Sequence, residues 1–254
     1  MLKKTLIVGA VILFAAILLF VGCAKKEAEV EKQHIIVATD ATWPPMEMVD
    51  ESKNIVGFDI DLLNAAAEAG GFTVEFRNTA WDGIFAGLPA GEYDAVMSSV
   101  TITDERKKQM DFSIPYINAG QILIVRADTK GVEKLADLKG KSVGAQIGTT
   151  GSFEIEKIAG LTLKTYDEIG LAFEDLVNGR IDAAVADTPV AADFALQNKN
   201  YKDKLKLVGK PFTDEFYGIA VKKGNTKILE TINAGLEKVL NTKTYTQIEE
   251  RWLR

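Results

Sequence analysis

Two short segments of this chain repeat one another: Gly91-Glu92-Tyr93-Asp94-Ala95-Val96 and Gly179-Arg180-Ile181-Asp182-Ala183-Ala184. Each follows the same local pattern. His34 to Thr39 reads as a strand, Phe58 to Ala69 carries apolar residues at helical spacing and stops at Gly70-Gly71, and Phe72 to Phe76 reads as a second strand. Trp81 to Leu88 predicts a helix and Tyr93 to Met97 a third strand. The pattern then returns with strands at Val143 to Ile147, Leu161 to Thr165 and Ile181 to Ala184, and helices after Gly148 and over Ile169 to Val177. Strands alternating with helices build an open α/β sheet covered on both faces. The strands beginning at Phe72 and Leu161 are offset by nearly the same distance as Asp94 and Asp182, so the chain is expected to form two α/β lobes of similar build. Phe112 to Val125 and Phe212 to Val221 are apolar without helical period and predict two extended crossings between the lobes, a hinge, with the last helices returning to the first lobe.

The amino-terminal segment has a different character. Lys3 and Lys4 precede an uncharged apolar run from Thr5 to Val21, shorter than the ~20 residues of a spanning helix and laid out like a secretory signal. Gly22 and Cys23, the single cysteine, follow it, and Ala24 to Gln33 is a charged tether without an apolar face. One cysteine excludes an internal disulfide and a cysteine metal cluster, and one histidine, His34, excludes a multi-histidine metal site. Removal of the leader lysines takes the formal charge from −6 to −8, without a basic stripe, which disfavours nucleic acid as a partner.

Ligands of open α/β sheets bind beyond the carboxyl ends of the strands. In the first lobe those positions hold Asp40, Trp43, Trp81 and the stretch Ser98 to Arg106; in the second they hold Gln146 to Thr150 and Asp187. One cation, two separated acids, hydroxyls and two indoles suit a zwitterion. Thr103 is a good N-cap and sets Arg106 in the first helical turn, where a basic residue opposes the dipole unless a bound carboxylate compensates it. The alternative is a surface arginine beside Lys107 and Lys108. Gly148-Thr149-Thr150-Gly151 offers amide groups at a helix start. It is not part of a phosphate loop, because Leu135 stands where glycine is required and Gly140-Lys141-Ser142 precedes a strand. Asp187 suits a ligand ammonium, or else caps the helix that Thr188-Pro189 begins. The tryptophans have ordinary core packing as their alternative.

Asp40 with Trp43-Pro44-Pro45, Val56-Gly57-Phe58-Asp59-Ile60-Asp61-Leu62, Thr101 to Arg106, Gly140 to Gly144, Gly148-Thr149-Thr150 and Asp182-Ala183 with Asp187-Thr188-Pro189 resemble the family 3 extracellular solute-binding proteins. These are amino-acid receptors of ATP-driven importers, and the resemblance runs from His34 to Arg254. It implies two Rossmann-like lobes joined by a two-strand hinge: residues 34–117 and 217–254 in lobe 1, 118–216 in lobe 2, and hinge strands near 116–121 and 212–217. It implies that Arg106, with the amides of Thr101 and Thr150, holds an α-carboxylate and that Asp187, helped by Ser99 and Thr101, holds the α-ammonium. Trp43 and Trp81 then sandwich the side chain, flanked by Asp40 and Gln146, while Ser98 and Ser99 occupy positions tied to side-chain choice. The end of the leader resembles a lipobox, with Phe20 in place of the usual leucine, so residues 1–22 are expected to be removed and Cys23 lipidated.

With Arg106 and Asp187 spent on the backbone groups, Asp40 is left over, and two indoles suit a flat cation. The expected cargo is therefore arginine before lysine, with glutamine the runner-up. No cofactor, metal or nucleic acid is expected. The partners are an amino acid, a membrane permease and the membrane through the lipid, for a monomer outside the inner membrane. A dehydratase on the same fold is the rival reading; no nucleophile elbow or Ser-His pair supports it.

Overall fold

The computed structural model describes residues 32–253; the leader and Cys23 lie outside them. In chain order the strands are β1 (His34–Thr39), β2 (Thr42–Trp43), β3 (Glu47–Val49), β4 (Ile55–Val56), β5 (Thr73–Asn78), β6 (Ala95–Val96), β7 (Met110–Phe112) and β8 (Ile117–Asn118). They continue as β9 (Gln121–Arg126), β10 (Ser142–Gln146), β11 (Thr162–Tyr166), β12 (Ala183–Asp187), β13 (Leu205–Val208), β14 (Phe216–Tyr217) and β15 (Ala220–Lys222). The helices are α1 (Phe58–Gly70), α2 (Gly87–Ala90), α3 (Asp104–Gln109), α4 (Thr150–Glu156), α5 (Ile169–Val177), α6 (Thr188–Ala192), α7 (Thr226–Val239) and α8 (Lys243–Trp252). None among the described residues is long and apolar enough to cross a membrane.

Two five-stranded sheets form, in the orders β5-β1-β6-β15-β7 and β11-β10-β12-β9-β13. The repeat seen in the sequence is thus a repeat of topology. In each sheet the first strand of the unit is flanked by two parallel neighbours, β5 and β6 about β1, β11 and β12 about β10. The fourth strand runs antiparallel, β15 against β6 and β9 against β12. The repeated aspartates explain their own spacing. Asp94 accepts the Ile36 amide at 2.8 Å, and Asp182 accepts the Ser142 amide at 2.9 Å. Each pins the amino end of a central strand to its neighbour, at the edge away from the loops that follow the strands' carboxyl ends. The chain passes between the sheets twice, from β7 to β9 and from β13 to β15, and the passing segments pair as β8 with β14.

Helix α1 forms where the periodicity predicts it: Phe58, Leu62, Leu63, Ala66 and Ala67 make one buried face, and Gly71, left-handed at φ 78°, returns its amide to Ala67. Helix α7 packs on α1 so closely that a Cβ on Gly235 would lie 2.5 Å from the Ala66 carbonyl oxygen. From α8, Arg251 and Trp252 both donate to Asp61 on α1. The last two helices therefore cover the first sheet. Ile169, Ala172, Phe173 and Leu176 of α5 cover one face of the second sheet, and Leu135, Leu138, Ile155 and Val208 pack on the other.

One predicted helix is corrected. Trp81 to Ala86 is a series of turns, and only Gly87–Ala90 is helical. Gly83 sits at φ 91°, outside helical geometry, and the Ile84 carbonyl takes its hydrogen from the Tyr93 hydroxyl. The apolar spacing of this segment is satisfied by a wound loop. The third strands are also displaced: β6 is only Ala95–Val96, and β12 runs on to Asp187.

Candidate functional site

Asp40 stands one residue past β1, buried, with its amide on the Ser98 hydroxyl oxygen at 2.9 Å and its Oδ1 accepting from Thr42 Oγ1 at 2.8 Å. Ser98 and Ser99 follow β6. Ser99 has φ 51°, a left-handed conformation that a residue with a Cβ rarely adopts. It is held there by Asp59, which accepts its amide at 2.9 Å, and by Glu47, which accepts its hydroxyl at 3.2 Å. Trp43 lies in β2, opposite Glu47 of β3. Trp81 packs edge-on against Phe85, with ring centroids 5.1 Å apart.

Thr103 caps α3 as the sequence predicts, accepting from the Arg106 amide at 3.1 Å. Helix α3 has only six residues, so the dipole argument for Arg106 carries little weight. Position matters more. The Arg106 guanidinium donates to the Thr101 carbonyl at 2.9 Å and across the cleft to the Gly148 carbonyl at 3.2 Å, and lies 5.5 Å from the Trp81 ring centroid. Three of its five N–H groups remain for a ligand.

On the facing wall, Gln146 ends β10 and donates across the cleft to Asp40 Oδ2 at 3.0 Å and to the Asp167 carbonyl at 2.8 Å. Thr149 caps α4. Thr150 donates to Glu215 at 2.6 Å. Asp187 occupies the N-cap position of α6 without capping it; its Oδ1 accepts from the Gln121 side-chain amide instead. The capping alternative for Asp187 is therefore set aside by geometry.

All ten residues singled out in the sequence, Asp40, Trp43, Trp81, Ser98, Ser99, Thr101, Arg106, Gln146, Thr150 and Asp187, line one cavity, together with Glu47 and Thr149. Burial pulls the Arg106 guanidinium down to about 10, against the opposing fields of Asp187 and Glu215. Burial, then the nearby Glu215, pushes the Asp187 carboxyl up to about 7. Asp40 is raised chiefly by burial, with Thr42 and Gln146 pulling the other way. Glu47 and Asp59 are both wholly buried. Burial, then the charge of Asp59, holds Glu47 well above the ordinary carboxylate range, and burial brings Asp59 to about 7.

The charge count made from the sequence needs correction. Asp40 is not an acid without donors, because Thr42 and Gln146 already engage both its oxygens. The additional acid on the wall is Glu47, which sequence reasoning missed, along with Gln121 and Glu215. Glu47 carried one available signal, a charge set between Met46 and Met48 in a short apolar run. Gln121 and Glu215 were visible only as polar interruptions of the two extended crossings. The tryptophan alternatives are not exclusive: Trp43 lines the cavity and packs in the main core.

The profile of the bacterial extracellular solute-binding proteins, family 3, matches residues 35–254. The chain belongs to that family. This solute-binding protein is 39% identical over 220 residues to a probable histidine-binding protein of Neisseria gonorrhoeae, covering 85% of this chain and 81% of the relative. Among solved structures, it is similar to an ancestral arginine-binding protein bound to arginine, at 44% identity and TM-score 0.82 over 88% of this chain and 99% of that one. An ancestral arginine-binding protein bound to glutamine matches at 44% identity and TM-score 0.81, over 87% of this chain and 98% of that one. The fold is thus the two-lobed α/β fold of an extracellular solute-binding family.

Proposed function

We propose that this protein is the receptor of an ATP-driven amino-acid importer, and that it takes a polar amino acid with a cationic side chain, arginine before lysine. The observation that carries the reading is the pairing of one guanidinium and one buried carboxylate on opposite walls of a single cavity, Arg106 and Asp187. An α-carboxylate and an α-ammonium placed between them satisfy both, and join lobe 1 (34–117 and 217–254) to lobe 2 (118–216). The hinge is the paired β8 and β14, within 116–121 and 212–217. The cationic preference follows from the wall acids, Asp40, Glu47 and Asp187 against Arg106, and from the two indoles. Anchoring through a lipid on Cys23, cleavage after residue 22 and a monomeric state belong to the same proposal.

Glutamine is the second reading, favoured by the Gln146 amide that already lies on Asp40 at 3.0 Å: an amide ligand meets a carboxylate that accepts amides. An enzyme of the dehydratase kind needs a protonated acid facing its substrate, and Glu47 is such a group. Recovery of the bound amino acid unchanged after long incubation separates receptor from enzyme. A thermal-shift screen of the amino acids tests the main reading, since a true ligand at a hundred times its Kd adds about 2.7 kcal/mol to the native state. Arginine is expected to raise the melting temperature most; no response to any amino acid would overturn the receptor reading.

A further inference from the structure

Beneath the cavity lies a second, closed layer of acid. Glu47 on β3 and Asp59 on α1 are each fully buried, and each fixes part of the loop that carries Ser98 and Ser99. The donors on the pair are the Ser98 hydroxyl at 3.1 Å and the Ser99 hydroxyl at 3.2 Å on Glu47, and the Ser99 amide at 2.9 Å and the Tyr116 hydroxyl at 2.8 Å on Asp59. Asp59 Oδ1 receives none of them and is buried. The Asp59 side chain lies within hydrogen-bond reach of the Glu47 carboxyl, and two carboxyls make a hydrogen bond only if one keeps its proton. The other titratable groups that face the pair do not supply a cation. Asp40 faces Glu47, Tyr116 and Tyr217 face both acids, and Tyr245 of α8 faces Asp59. Arg106, the cation of the cavity, is directed at the Thr101 and Gly148 carbonyls.

Glu47 is the member of the pair that lines the cavity. We propose that Glu47 tells a cationic side chain from a neutral one by a proton it shares with Asp59: the pair sheds a proton to solvent when a cation arrives and keeps it when the side chain is neutral. This rests on the amino-acid receptor reading and deepens it. The balance is simple. A Glu47 or Asp59 O–H bond breaks, the proton passes to buffer, and the carboxylate left behind is matched by the ligand cation. The Glu47–Asp59 hydrogen bond survives, because the pair retains its second proton.

The sign follows from where the pair titrates. Burial raises Asp59 to about 7 and Glu47 well above its ordinary value, so below about pH 7 the pair is mostly neutral and a cation must expel a proton to gain a counter-charge. Above it the pair already carries one charge, and expulsion is not needed. Affinity for a cationic side chain therefore rises with pH up to about 7 and then levels. Asp187 also titrates near 7, but it meets the α-ammonium of every amino acid, so its share is common to cationic and neutral ligands.

The test is calorimetric titration of the wild type with arginine, lysine and glutamine near pH 6, in two buffers of different ionisation enthalpy, which counts protons released. Arginine and lysine should release more protons than glutamine. In Glu47→Gln the excess should vanish and arginine affinity should fall about tenfold or more, while glutamine affinity changes less than about threefold. If glutamine does not bind, the same excess is read as the difference between wild type and Glu47→Gln with arginine, from which the Asp187 share cancels. If the variant fails to fold, the wild-type pH profiles of arginine and glutamine affinity decide together, since the Asp187 share is common to both; profiles that run parallel below pH 7 are the refuting form. Tight binding of arginine and glutamine with equal proton counts overturns this inference alone; absence of binding by every amino acid overturns the receptor reading and this with it.

Discussion

Replacing Asp187 with asparagine should make the protein more stable without ligand while abolishing its binding. Asp187 is 5% exposed and its carboxyl is raised from 3.8 to about 7, by burial and then by Glu215, against the hydrogen bond from Gln121 and the field of Arg106. A raised carboxyl binds its proton more tightly folded than unfolded. Its contribution to stability is therefore complete below the ordinary value of 3.8 and is lost as the pH climbs through the folded value near 7. Above that, the native state carries the cost of a desolvated charge. A shift of this size corresponds to roughly 4 kcal/mol as an upper bound, at about 1.4 kcal/mol for each pH unit. The asparagine side chain in Asp187→Asn keeps the shape and can still accept from Gln121, so most of that cost should disappear. Calorimetric scans near pH 8 without ligand should show the variant melting several degrees higher, since about 1 kcal/mol moves a chain of this size by ~2–4 °C. The gain should shrink near pH 4, where both forms are uncharged at this position. Binding should be weakened by about a hundredfold or more, because the ammonium loses its charged partner, a loss of ~2–5 kcal/mol in a closed cleft. A variant that melts lower at pH 8, or that binds as tightly as wild type, would refute the placing of Asp187 as a charge held ready for a cation.

Arg106→Ala should cost ~3 kcal/mol of binding free energy, about a hundredfold in Kd by calorimetry, because it removes both the guanidinium fork and its hold on Gly148 across the cleft. Gln146→Ala removes the amide that joins the walls at Asp40 and should weaken binding by roughly five- to tenfold, about 1 kcal/mol, with a larger radius of gyration at subsaturating ligand by small-angle scattering. Gly235→Val places its Cβ within 2.5 Å of the Ala66 carbonyl and should cost ~1–3 kcal/mol of stability in thermal unfolding while leaving ligand affinity unchanged. Cys23→Ser should release the protein from membrane fractions or leave an uncleaved precursor, as read by mass spectrometry; unmodified Cys23 in the mature wild type would remove the lipoprotein reading.

Local pattern was enough for a good part of this protein. The spacing of Phe58, Leu62, Leu63, Ala66 and Ala67 fixes a helix and its buried face, and Gly71 ends it, because both depend on dihedrals and periods written along the chain. The repeat about Asp94 and Asp182 predicts two sheets of one topology, since each aspartate serves the strand pairing of its own unit. Position after a strand end singled out Asp40, Arg106, Gln146 and Asp187, which the open-sheet geometry gathers into one cavity. The same reasoning failed over Trp81 to Leu88, where an apolar period that suits a helix is met by turns once Tyr93 takes the Ile84 carbonyl.

Tertiary packing decided the charge state of the site. Nothing along the sequence says that Glu47 lies against Asp59 without a cation between them, that Gln146 reaches Asp40, or that Gln121 and Glu215 from the two crossings meet Asp187 and Thr150. These contacts join distant segments, and the cost of each charge is set by what surrounds it once the chain is packed. A carboxylate in an apolar run reads as a surface residue until the fold removes its water. Glu47 then becomes a buried acid that must find a donor or hold a proton. The sequence therefore determined most of the residues that face the cleft, through their places after strand ends, and the packed structure added Glu47 and decided which of them carry charge there.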